Sequence, residues 1–422
     1  MAHHKGIIHV RLCVHRGTSE IGGNCIEIEA AGKSILLDLG MPLMGEVSPE
    51  SAMPPVPGLT DGTNPDLLAI VISHPHADHY GLASKAHPSI PIYIGEEAHK
   101  LLRAAVAFTP FGIEFSNAVH YRHARSFEIG PFRLTPYLVD HSAFDAYSLL
   151  IEADGMRVFY SGDLRGHGWK SRCFDDLVTN GPENVDLMLL EGTTIGRDAS
   201  LQEETEAELV EQIAGRIAET RGMMLAAFAG QNIDRFVTFF KAARRARRHF
   251  VVDLYLAHLL RALGRKSLPD PTSGALRVYL PRWHKMKIVR DRRFELVKPY
   301  RYRRIYPSEL RRRKDKIVMC FRNSMIHELA DAGCLEGSRL IYSMWPGYLE
   351  ASEPDIRSWC ADNGIEFEVI HTSGHADAHD LQRLIEGIKP RRLVPIHTMA
   401  SDRYPHDVSE TLRLVDGEWI TI

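Results

Sequence analysis

Four side chains that could bind a metal ion lie within six residues, in the order His74, His76, Asp78 and His79. They directly follow residues 67–73, an apolar run typical of a buried strand. In an extended segment residues i and i+2 point the same way, so His74 and His76 can bind one metal ion. Asp78 and His79 can turn towards a second ion as the chain curls into a helix. Imidazole with carboxylate suits zinc, and manganese or iron less exclusively, so this spacing predicts a metal site.

Short strand-like runs separated by polar turns dominate the first 200 residues. The segments that we expect to form strands here are 25–29, 34–37, 67–72, 91–94, 157–160 and 185–190, and one helix is expected at 95–106. Several short strands with few helices predict a β-rich α/β sandwich whose functional loops lie at the ends of strands.

Strands and helices begin to alternate near residue 200. Helices are expected at 202–220, 232–247, 257–263, 353–363 and 377–388, and strands at 223–228, 250–254, 316–320, 338–343, 367–370 and 392–396. Alternation of this kind is typical of a parallel sheet, which indicates a second domain. Residues 270–313 are rich in Arg and show no clear pattern.

The motif from His74 to His79 resembles that of the metallo-β-lactamase superfamily, and four further residues follow strand-like runs in the order that this family shows. They are Asp38, His141, Asp163 and His397. Each is a weak signal when taken singly, because a lone histidine after a strand is more often a core residue. Together they form a coherent set.

The resemblance implies a ligand set for two zinc ions, with manganese as an alternative metal. His74, His76 and His141 would bind one ion, Asp78, His79 and His397 the other, and Asp163 would lie between the two. Asp38 would orient a histidine of the motif. The implied chemistry is hydrolysis by a metal-bridging hydroxide.

The β-CASP branch of this superfamily carries a second domain inserted into the first, and this chain resembles that branch. Glu191, in Leu-Leu-Glu-Gly-Thr-Thr, falls at the acidic motif of the branch, and His375, in His-Thr-Ser-Gly-His-Ala, falls at its histidine motif. The likeness implies that Asp78, His375 and Glu191 are catalytic. It also implies that Ser373, Gly374 and His375 bind a substrate phosphate.

Further similarity to the ribonuclease J family lies in 17–24, 228–235 and 390–397. The family usually has a glycine and an acidic residue after the last histidine, whereas this chain has Thr398 and Met399. The chain also ends about 25 residues after His397, so we expect it to lack the C-terminal domain that supports oligomerisation in that family. A homodimer is nevertheless compatible with the resemblance. The expected domains are 1–200 with 365–422, and an inserted 201–364.

The bulk composition of these 422 residues, 44% hydrophobic and 25% charged, is that of an ordinary globular protein. No apolar run approaches the ~18 residues that a membrane helix needs, and residues 1–10 lack the apolar centre of a signal peptide. The six cysteines form no CxxC pair. These features predict a cytoplasmic protein with reduced cysteines and no membrane partner.

Positive charge is concentrated in residues 241–316, which contain 24 Lys and Arg against 6 Asp and Glu. This local excess of +18 leaves −21 for the rest of a chain whose net charge is −3. Aromatic residues are interleaved with the cations, at Tyr279, Trp283, Phe294, Tyr300 and Tyr302. The mixture suits single-stranded nucleic acid, RNA or DNA, although each ring taken singly is better explained as a core residue.

Three functions are compatible with these features. The first is a ribonuclease-J-like, zinc-dependent nuclease, acting as an exonuclease, an endonuclease or both. The second is a small-molecule hydrolase of the same superfamily, of the thioester or lactam type, which the basic segment and the His375 motif disfavour. The third is an inactive member that binds nucleic acid, which the full ligand set disfavours.

Overall fold

The structure is a computed structural model that describes residues 9–43, 48–197, 202–350, 355–404 and 410–422. It divides into two compact units, unit 1 from residues up to 103 with 113–203 and 374–422, and unit 2 from 104–112 and 204–373. The domain ranges expected from the sequence remain a prediction, and unit 2 differs from the expected insert by also holding 104–112 and 365–373.

The strands of the described residues are numbered in chain order. They are β1 (Arg11–Arg16), β2 (Cys25–Ala30), β3 (Lys33–Leu37), β4 (Leu67–Ile72), β5 (Ile92–Gly95), β6 (Ala118–Tyr121), β7 (Phe127–Ile129), β8 (Phe132–Leu138), β9 (Tyr147–Ala153), β10 (Met156–Tyr160), β11 (Leu187–Glu191), β12 (Met224–Ala227), β13 (His249–Asp253), β14 (Leu276–Tyr279), β15 (Arg304–Ile305), β16 (Ile317–Phe321), β17 (Arg339–Tyr342), β18 (Glu366–Val369), β19 (Arg392–Ile396), β20 (Glu410–Thr411) and β21 (Trp419–Thr421).

The α-helices are numbered in the same way. They are α1 (Ala77–Tyr80), α2 (Glu96–Ala105), α3 (Ser171–Asn180), α4 (Glu206–Glu219), α5 (Ile233–Arg245), α6 (Leu254–Leu263), α7 (Arg282–Arg290), α8 (Pro307–Arg312), α9 (Ile326–Asp331), α10 (Gly347–Glu350), α11 (Ile356–Asp362) and α12 (Ala378–Ile388). No described helix has both the length and the apolar character that crossing a membrane requires.

Unit 1 contains two seven-stranded sheets, ordered β21-β1-β2-β3-β4-β5-β6 and β20-β19-β11-β10-β9-β8-β7. Aliphatic side chains from both sheets, such as Val14, Ile28, Leu149 and Leu189, form one buried cluster between them. Because strand residues alternate between the two faces, the remaining apolar side chains point outward and need a covering layer.

Helices supply that covering layer on both sides of unit 1. Ala98 and Leu102 of α2 pack with residues of the first sheet such as Ile70. Leu177 of α3 and Leu384 of α12 pack with residues of the second sheet. The expected fold class, an αββα sandwich with a further parallel sheet flanked by helices, is confirmed.

The parallel sheet forms the centre of unit 2, with strand order β15-β14-β13-β16-β12-β17-β18 and parallel pairing throughout. The central strand β16 is buried at every residue, as expected for a parallel sheet covered on both faces. The Arg-rich stretch that showed no clear pattern forms β14, α7, β15 and α8, with short 3₁₀ turns at Phe294–Leu296 and Lys298–Tyr300.

Capping side chains account for the helix starts that the sequence reading misplaced. The helix expected from residue 202 begins at Glu206, because Thr205 and Glu208 form a capping box there. The helix expected from residue 257 begins at Leu254, because the Asp253 side chain accepts a hydrogen bond from the Leu256 backbone N–H.

A buried ion pair joins the first two helices of unit 2. Arg235 of α5 and Glu206 of α4 are both fully buried, with the guanidinium 3.1 Å from the carboxylate. The same guanidinium donates to the carbonyl oxygens of Ser343 and Thr372, each at 3.1 Å. Every one of these partners lies in unit 2, so Arg235 ties α4, α5 and the ends of β17 and β18 together.

Candidate metal centre

The sequence motif lies between β4 and α1, as its pattern predicts. β4 ends at Ile72, and α1 is a single turn that carries Asp78 and His79. His74, His76 and His141 bring one ring nitrogen each to within 4.8 Å of the others. His141 Nε2 lies 3.1 Å from His76 Nδ1, although 65 residues separate them in the chain.

A second group of potential ligands, Asp78, His79, Asp163 and His397, is entirely buried and equally compact, with its ligand atoms within 4.8 Å of one another. Asp163 Oδ2 lies 3.1 Å from His79 Nε2 and 3.6 Å from His74 Nε2. Asp163 is therefore the residue that stands between the first group and the second. The structure thus brings together all seven residues that the resemblance nominated as ligands.

Asp38 determines how the His79 ring is presented. Its Oδ2 atom accepts hydrogen bonds from His79 Nδ1, at 2.7 Å, from the Tyr160 hydroxyl and from the Ser73 hydroxyl. A carboxylate can only accept, so Asp38 holds a proton on His79 Nδ1, and in the neutral ring the Nε2 lone pair faces Asp163. Asp38 itself has a φ of 59°, a left-handed conformation that its four hydrogen bonds, including one from the Ser73 backbone N–H, hold in place.

His74 and His141 are oriented by the same device. The Ser73 hydroxyl donates to Asp38, so its oxygen accepts from His74 Nδ1, 3.0 Å away. His141 Nδ1 donates to the carbonyl oxygen of Gly374 at 2.5 Å. Both rings are therefore left with an Nε2 lone pair, which is the form that ligates a metal ion.

Thr193 orients His397. Its hydroxyl lies 2.8 Å from Glu191 Oε2 and donates to it, because the carboxylate is an acceptor only. The Thr193 oxygen then accepts the proton of His397 Nδ1, also at 2.8 Å. His397 is left with an Nε2 lone pair, 3.3 Å from Asp78 Oδ2.

With these proton positions, the lone pairs of several buried nitrogen and oxygen atoms face one another. This arrangement is what a metal ion would require. His74 Nε2, His79 Nε2 and both carboxylate oxygens of Asp163 are buried and make no hydrogen bond to any described residue. Buried nitrogen and carboxylate acceptors that face each other at about 3 Å repel unless a cation or a proton lies among them. The donor set of imidazoles and carboxylates fits a divalent metal ion.

The electrostatics of the first group keep its imidazoles neutral. Burial, reinforced by the neighbouring histidines, places the pKa of His74 and of His141 well below its ordinary value. Burial also lowers the pKa of His76 to about 4. Neutral imidazoles have the lone pair that a metal ion needs, so these three residues require no deprotonation near pH 7.

The carboxylates of the second group stay ionised although burial favours their neutral forms. The neighbouring His79 and His397 lower the pKa of Asp78 to about 2. His397, His79 and His375 hold the pKa of Asp163 well below its ordinary value. Burial lowers the pKa of His79, but Asp163, Asp38 and Asp78 more than offset it, so the net shift is upward.

His375 lies beside the candidate ligands, next to the carboxylate of Glu191. Its Nδ1 atom is 3.2 Å from both carboxylate oxygens of Glu191 and 3.7 Å from Asp163 Oδ2. Burial lowers its pKa, but Glu191 and then Asp163 raise it more, to about 9. Glu191, the main cause of this rise, is buried at the end of β11. Because its pKa lies above 7, His375 is an imidazolium at neutral pH.

Two glycines permit the close approaches on which this geometry depends. A Cβ atom on Gly374 would lie 2.5 Å from the Ser142 hydroxyl and 3.5 Å from the His141 ring. A Cβ atom on Gly40 would lie 1.7 Å from the carbonyl oxygen of Asp78. A side chain at Gly374 would therefore force either Ser142 or the Gly374 backbone, whose carbonyl orients His141, to shift.

Ser373, expected with Gly374 and His375 to bind phosphate, is buried and belongs to unit 2, whereas Gly374 and His375 belong to unit 1. The phosphate-binding role of these three residues remains a prediction.

The sequence analysis did not identify Ser73, Tyr160 and Thr193. Ser73 and Thr193 could have been suspected, because each stands next to or near a nominated residue and carries a hydroxyl.

A further group, Asp377, His379 and Asp380, also has ligand atoms within 4.8 Å of one another. Local structure explains their proximity. The Asp377 side chain caps α12 by accepting from the Asp380 backbone N–H, and Asp380 is 2.8 Å from Arg383. Asp377 is therefore the residue that caps this helix.

Comparison with known proteins agrees with the geometry. Residues 33–224 match the Beta-lactamase superfamily domain, and residues 365–402 match the Zn-dependent metallo-hydrolase RNA specificity domain. A protein of unknown function from Enterococcus faecalis V583 shares the fold, with a TM-score of 0.80 over 98% of this chain and all of its own, at 21% identity.

Several curated relatives are named ribonuclease J. Ribonuclease J of Sinorhizobium meliloti is 24% identical over 96% of this chain and 73% of its own length. Ribonuclease J of Mycolicibacterium smegmatis is 22% identical over 92% and 68%. Ribonuclease J of Mycobacterium tuberculosis is 27% identical over 47% of this chain and 35% of its own length. These matches support a ribonuclease-J-like protein of the β-CASP branch of the metallo-β-lactamase superfamily.

Proposed function

We propose that this protein is a metal-dependent ribonuclease that hydrolyses phosphodiester bonds of single-stranded RNA. The observation that carries the proposal is the convergence of five histidines and two aspartates, four of whose buried acceptor atoms lack a hydrogen-bond partner among the described residues. The ribonuclease J relatives and the RNA specificity match support RNA as the substrate.

The proposed metals are two zinc ions. His74, His76 and His141 would hold one, and Asp78, His79 and His397 the other, with Asp163 shared. The predominance of imidazole donors supports zinc over magnesium or calcium, which prefer oxygen ligands. Bound in this way, two divalent ions supply an activated water near neutral pH and neutralise charge that develops on the phosphoryl oxygens.

His375 supplies the proton that the reaction needs in addition to the activated water. Since His375 Nδ1 faces the Glu191 carboxylate, the second proton of the imidazolium is on Nε2. We assign this proton to a phosphoryl oxygen or to the leaving oxygen, either of which gains negative charge during hydrolysis. Glu191 acts through His375, because it keeps the ring charged and fixes its orientation.

Cleavage of labelled single-stranded RNA, with and without a 5′ phosphate, tests the proposal, with matching DNA and a small thioester and lactam as further substrates. We expect RNA to be cleaved, with Asp78→Ala and His79→Ala each lowering the rate by several orders of magnitude. His99→Gln changes a buried histidine outside the ligand groups and serves as the matched control. Elemental analysis should find about two zinc ions per chain.

The size of the products over time distinguishes the modes of cleavage. Mononucleotides among the first products indicate exonuclease action, and intermediate fragments indicate internal cuts. Full activity in Asp78→Ala or His79→Ala contradicts the assignment. Turnover of the thioester or the lactam with RNA untouched would replace it by a small-molecule hydrolase.

A further inference from the structure

The Arg-rich part of unit 2 contains a surface that the catalytic proposal does not use. We call residues 282–306, which comprise α7, the two 3₁₀ turns and β15, the aromatic–cation segment. Of the five rings that the sequence nominated for stacking on bases, Tyr279 and Tyr300 are core residues, 3% and 0% exposed. Their hydroxyls donate to Glu328 and to the Ala257 carbonyl oxygen. These two rings are therefore unavailable to a ligand.

The other three rings, with Tyr306 beside them, are exposed to solvent. Trp283 is 46% exposed, Phe294 58%, Tyr302 76% and Tyr306 48%. Isolated exposed apolar side chains are ordinary, but four aromatic rings within 24 residues of one charged segment are not.

The way α7 rests on unit 2 explains why its rings and aliphatic side chains stay outside. Ile288 is buried, and His284, one turn earlier, packs edge-on against Phe108 with ring centroids 5.2 Å apart. Residues four apart share one helix face, so this face holds the helix down. Met286 and Val289 project from the opposite side and are 56% and 57% exposed.

Cations accompany three of the four exposed rings. Lys287 Nζ lies 5.2 Å from the centre of the Trp283 ring. The guanidinium carbon of Arg301 lies 4.3 Å from the Tyr302 ring, and that of Arg304 lies 4.9 Å from the Tyr306 ring. Each pair presents a flat surface for a base beside a positive charge for a phosphate, which is the combination that proteins use to bind single strands.

The charge of this segment is strongly one-sided. Residues 282–306 contain ten Lys and Arg and two acidic residues. Both acidic residues lie beside an arginine of the same segment, Asp291 at 2.7 Å from Arg290 and Glu295 at 2.5 Å from Arg293. The excess of eight positive charges therefore has no acidic complement within the segment, and a polyanion is the ligand whose charge matches it.

We propose that the aromatic–cation segment is a docking surface for single-stranded RNA, with bases stacked on Trp283 and Tyr302 and phosphates beside Lys287 and Arg301. The inference rests on the proposed ribonuclease function for its choice of RNA. It deepens that function, because it places part of the substrate affinity in unit 2, on residues that take no part in hydrolysis. RNA is favoured over an anionic membrane because α7 has nine residues, too short an apolar face to lie stably in a bilayer surface.

Anisotropy of a fluorescein-labelled 20-nucleotide single-stranded RNA with phosphorothioate linkages measures binding by the metal-loaded protein. Three variants separate stacking from charge. Trp283→Leu keeps an apolar side chain without a ring, Trp283→Phe keeps a ring, and Lys287→Gln with Arg301→Gln removes two charges. Arg221→Gln with Arg244→Gln, two exposed cations of unit 2 outside the segment, is the matched control.

We expect Trp283→Leu to weaken binding at least about 5-fold, corresponding to the lower end of ~1–3 kcal/mol per stacked base. Trp283→Phe should restore most of the affinity. The Lys287 and Arg301 double variant should reduce the slope of log Kd against log salt by about 0.7 for each phosphate that no longer meets a cation. The control pair should leave the slope unchanged, and kcat at saturating RNA should be unchanged in all variants.

The outcomes for the surface and for the catalytic function are separable. Wild-type protein that cleaves RNA, with Kd and salt slope unchanged in Trp283→Leu and in the double variant, overturns the docking surface and leaves the ribonuclease standing. Wild-type protein that binds RNA through these residues but cleaves none overturns the ribonuclease alone. Trp283→Leu could instead weaken binding to phosphatidylserine vesicles or to an acidic peptide and leave the affinity for RNA unchanged. In that case the surface binds a different ligand and the proposal fails.

Discussion

Replacing Thr193 by valine should weaken metal binding although Thr193 is not itself a ligand. Valine has nearly the same shape as threonine and lacks the hydroxyl. The wild-type hydroxyl donates to Glu191 and accepts from His397 Nδ1, both at 2.8 Å. Without it, the His397 proton has no acceptor at this position, and the ring can rotate or shift the proton to Nε2. A proton on Nε2 blocks the nitrogen that faces Asp78.

The magnitude follows from the hydrogen bonds to Glu191 and His397 that disappear. The 3.1 Å contact of the Thr193 hydroxyl with His375 Nδ1 disappears as well. A hydrogen bond to a charged group contributes about 1.5–3 kcal/mol, and a buried donor without an acceptor is unfavourable by about 1–3 kcal/mol. Removing a residue that orients a metal-bound histidine usually lowers metal affinity by about 10- to 100-fold. We therefore expect Thr193→Val to raise the Kd for zinc by about that factor and to lower kcat on RNA at limiting zinc.

Competition with a chromophoric chelator measures zinc affinity directly, without reference to activity. Thr193→Ser keeps the hydroxyl and should remain within a few-fold of the wild type. Thr238→Val is the matched control, because the Thr238 hydroxyl is also buried and donates to a buried glutamate, Glu206, at 2.6 Å, but in unit 2. This control should lose stability and keep its zinc affinity.

Wild-type zinc affinity in Thr193→Val would refute the reasoning, since another contact would then have to orient His397. Equal losses of zinc affinity in Thr193→Val and Thr238→Val would also refute it, because general destabilisation would then explain both results.

Three further predictions concern stability and geometry. Arg235→Met removes the guanidinium that neutralises the buried Glu206 carboxylate, so unfolding in urea should show a loss of about 3–5 kcal/mol, and the double variant with Glu206→Leu should recover much of it. Burial, His120 and Arg103 lower the pKa of His99 to about 4 in the folded protein. This is below the ordinary pKa of histidine in an unfolded chain. As the pH falls, His99 is therefore protonated in the unfolded state first. Stability should therefore be full above pH ~6.5 and decline by about 1–2 kcal/mol between pH 7 and 5, and urea titrations should show that this part of the decline is absent in His99→Gln. Gly374→Ala should disturb the carbonyl that accepts from His141 and lower zinc affinity measured by chelator competition, whereas Gly215→Ala, at a position with no atom within 4 Å, should leave it unchanged.

Much of unit 1 follows from local patterns in the sequence. The apolar run before His74 is the strand β4, and the strands before Asp38, Asp163 and His397 lie near the expected positions. Short apolar runs bounded by turns predict strands with little ambiguity. Side chains at the ends of neighbouring strands lie close together because those ends share one edge of a sheet. The strands β6 and β7 show no clear sequence pattern, because their segments are short and their burial is mixed.

The Arg-rich segment escaped a sequence reading for a different reason. Its helix α7 buries only Ile288 fully and leaves the rest of its length partly or wholly exposed, so no apolar period is present to reveal it. The sequence also could not tell exposed rings from buried ones. Tyr300 and Tyr302 are two residues apart in similar surroundings of Arg and Lys, yet one is 0% and the other 76% exposed.

The sequence by itself nominated the seven candidate ligands and His375, because their residue types and order are properties of the chain. Only the tertiary structure decided how they are presented. The proton positions of His74, His79, His141 and His397 depend on Ser73, Asp38, the Gly374 carbonyl and Thr193. Several of these partners are tens to hundreds of residues from the ring that they orient. A hydrogen bond is set by atoms in space, and no spacing along the chain records which acceptor a ring nitrogen will meet.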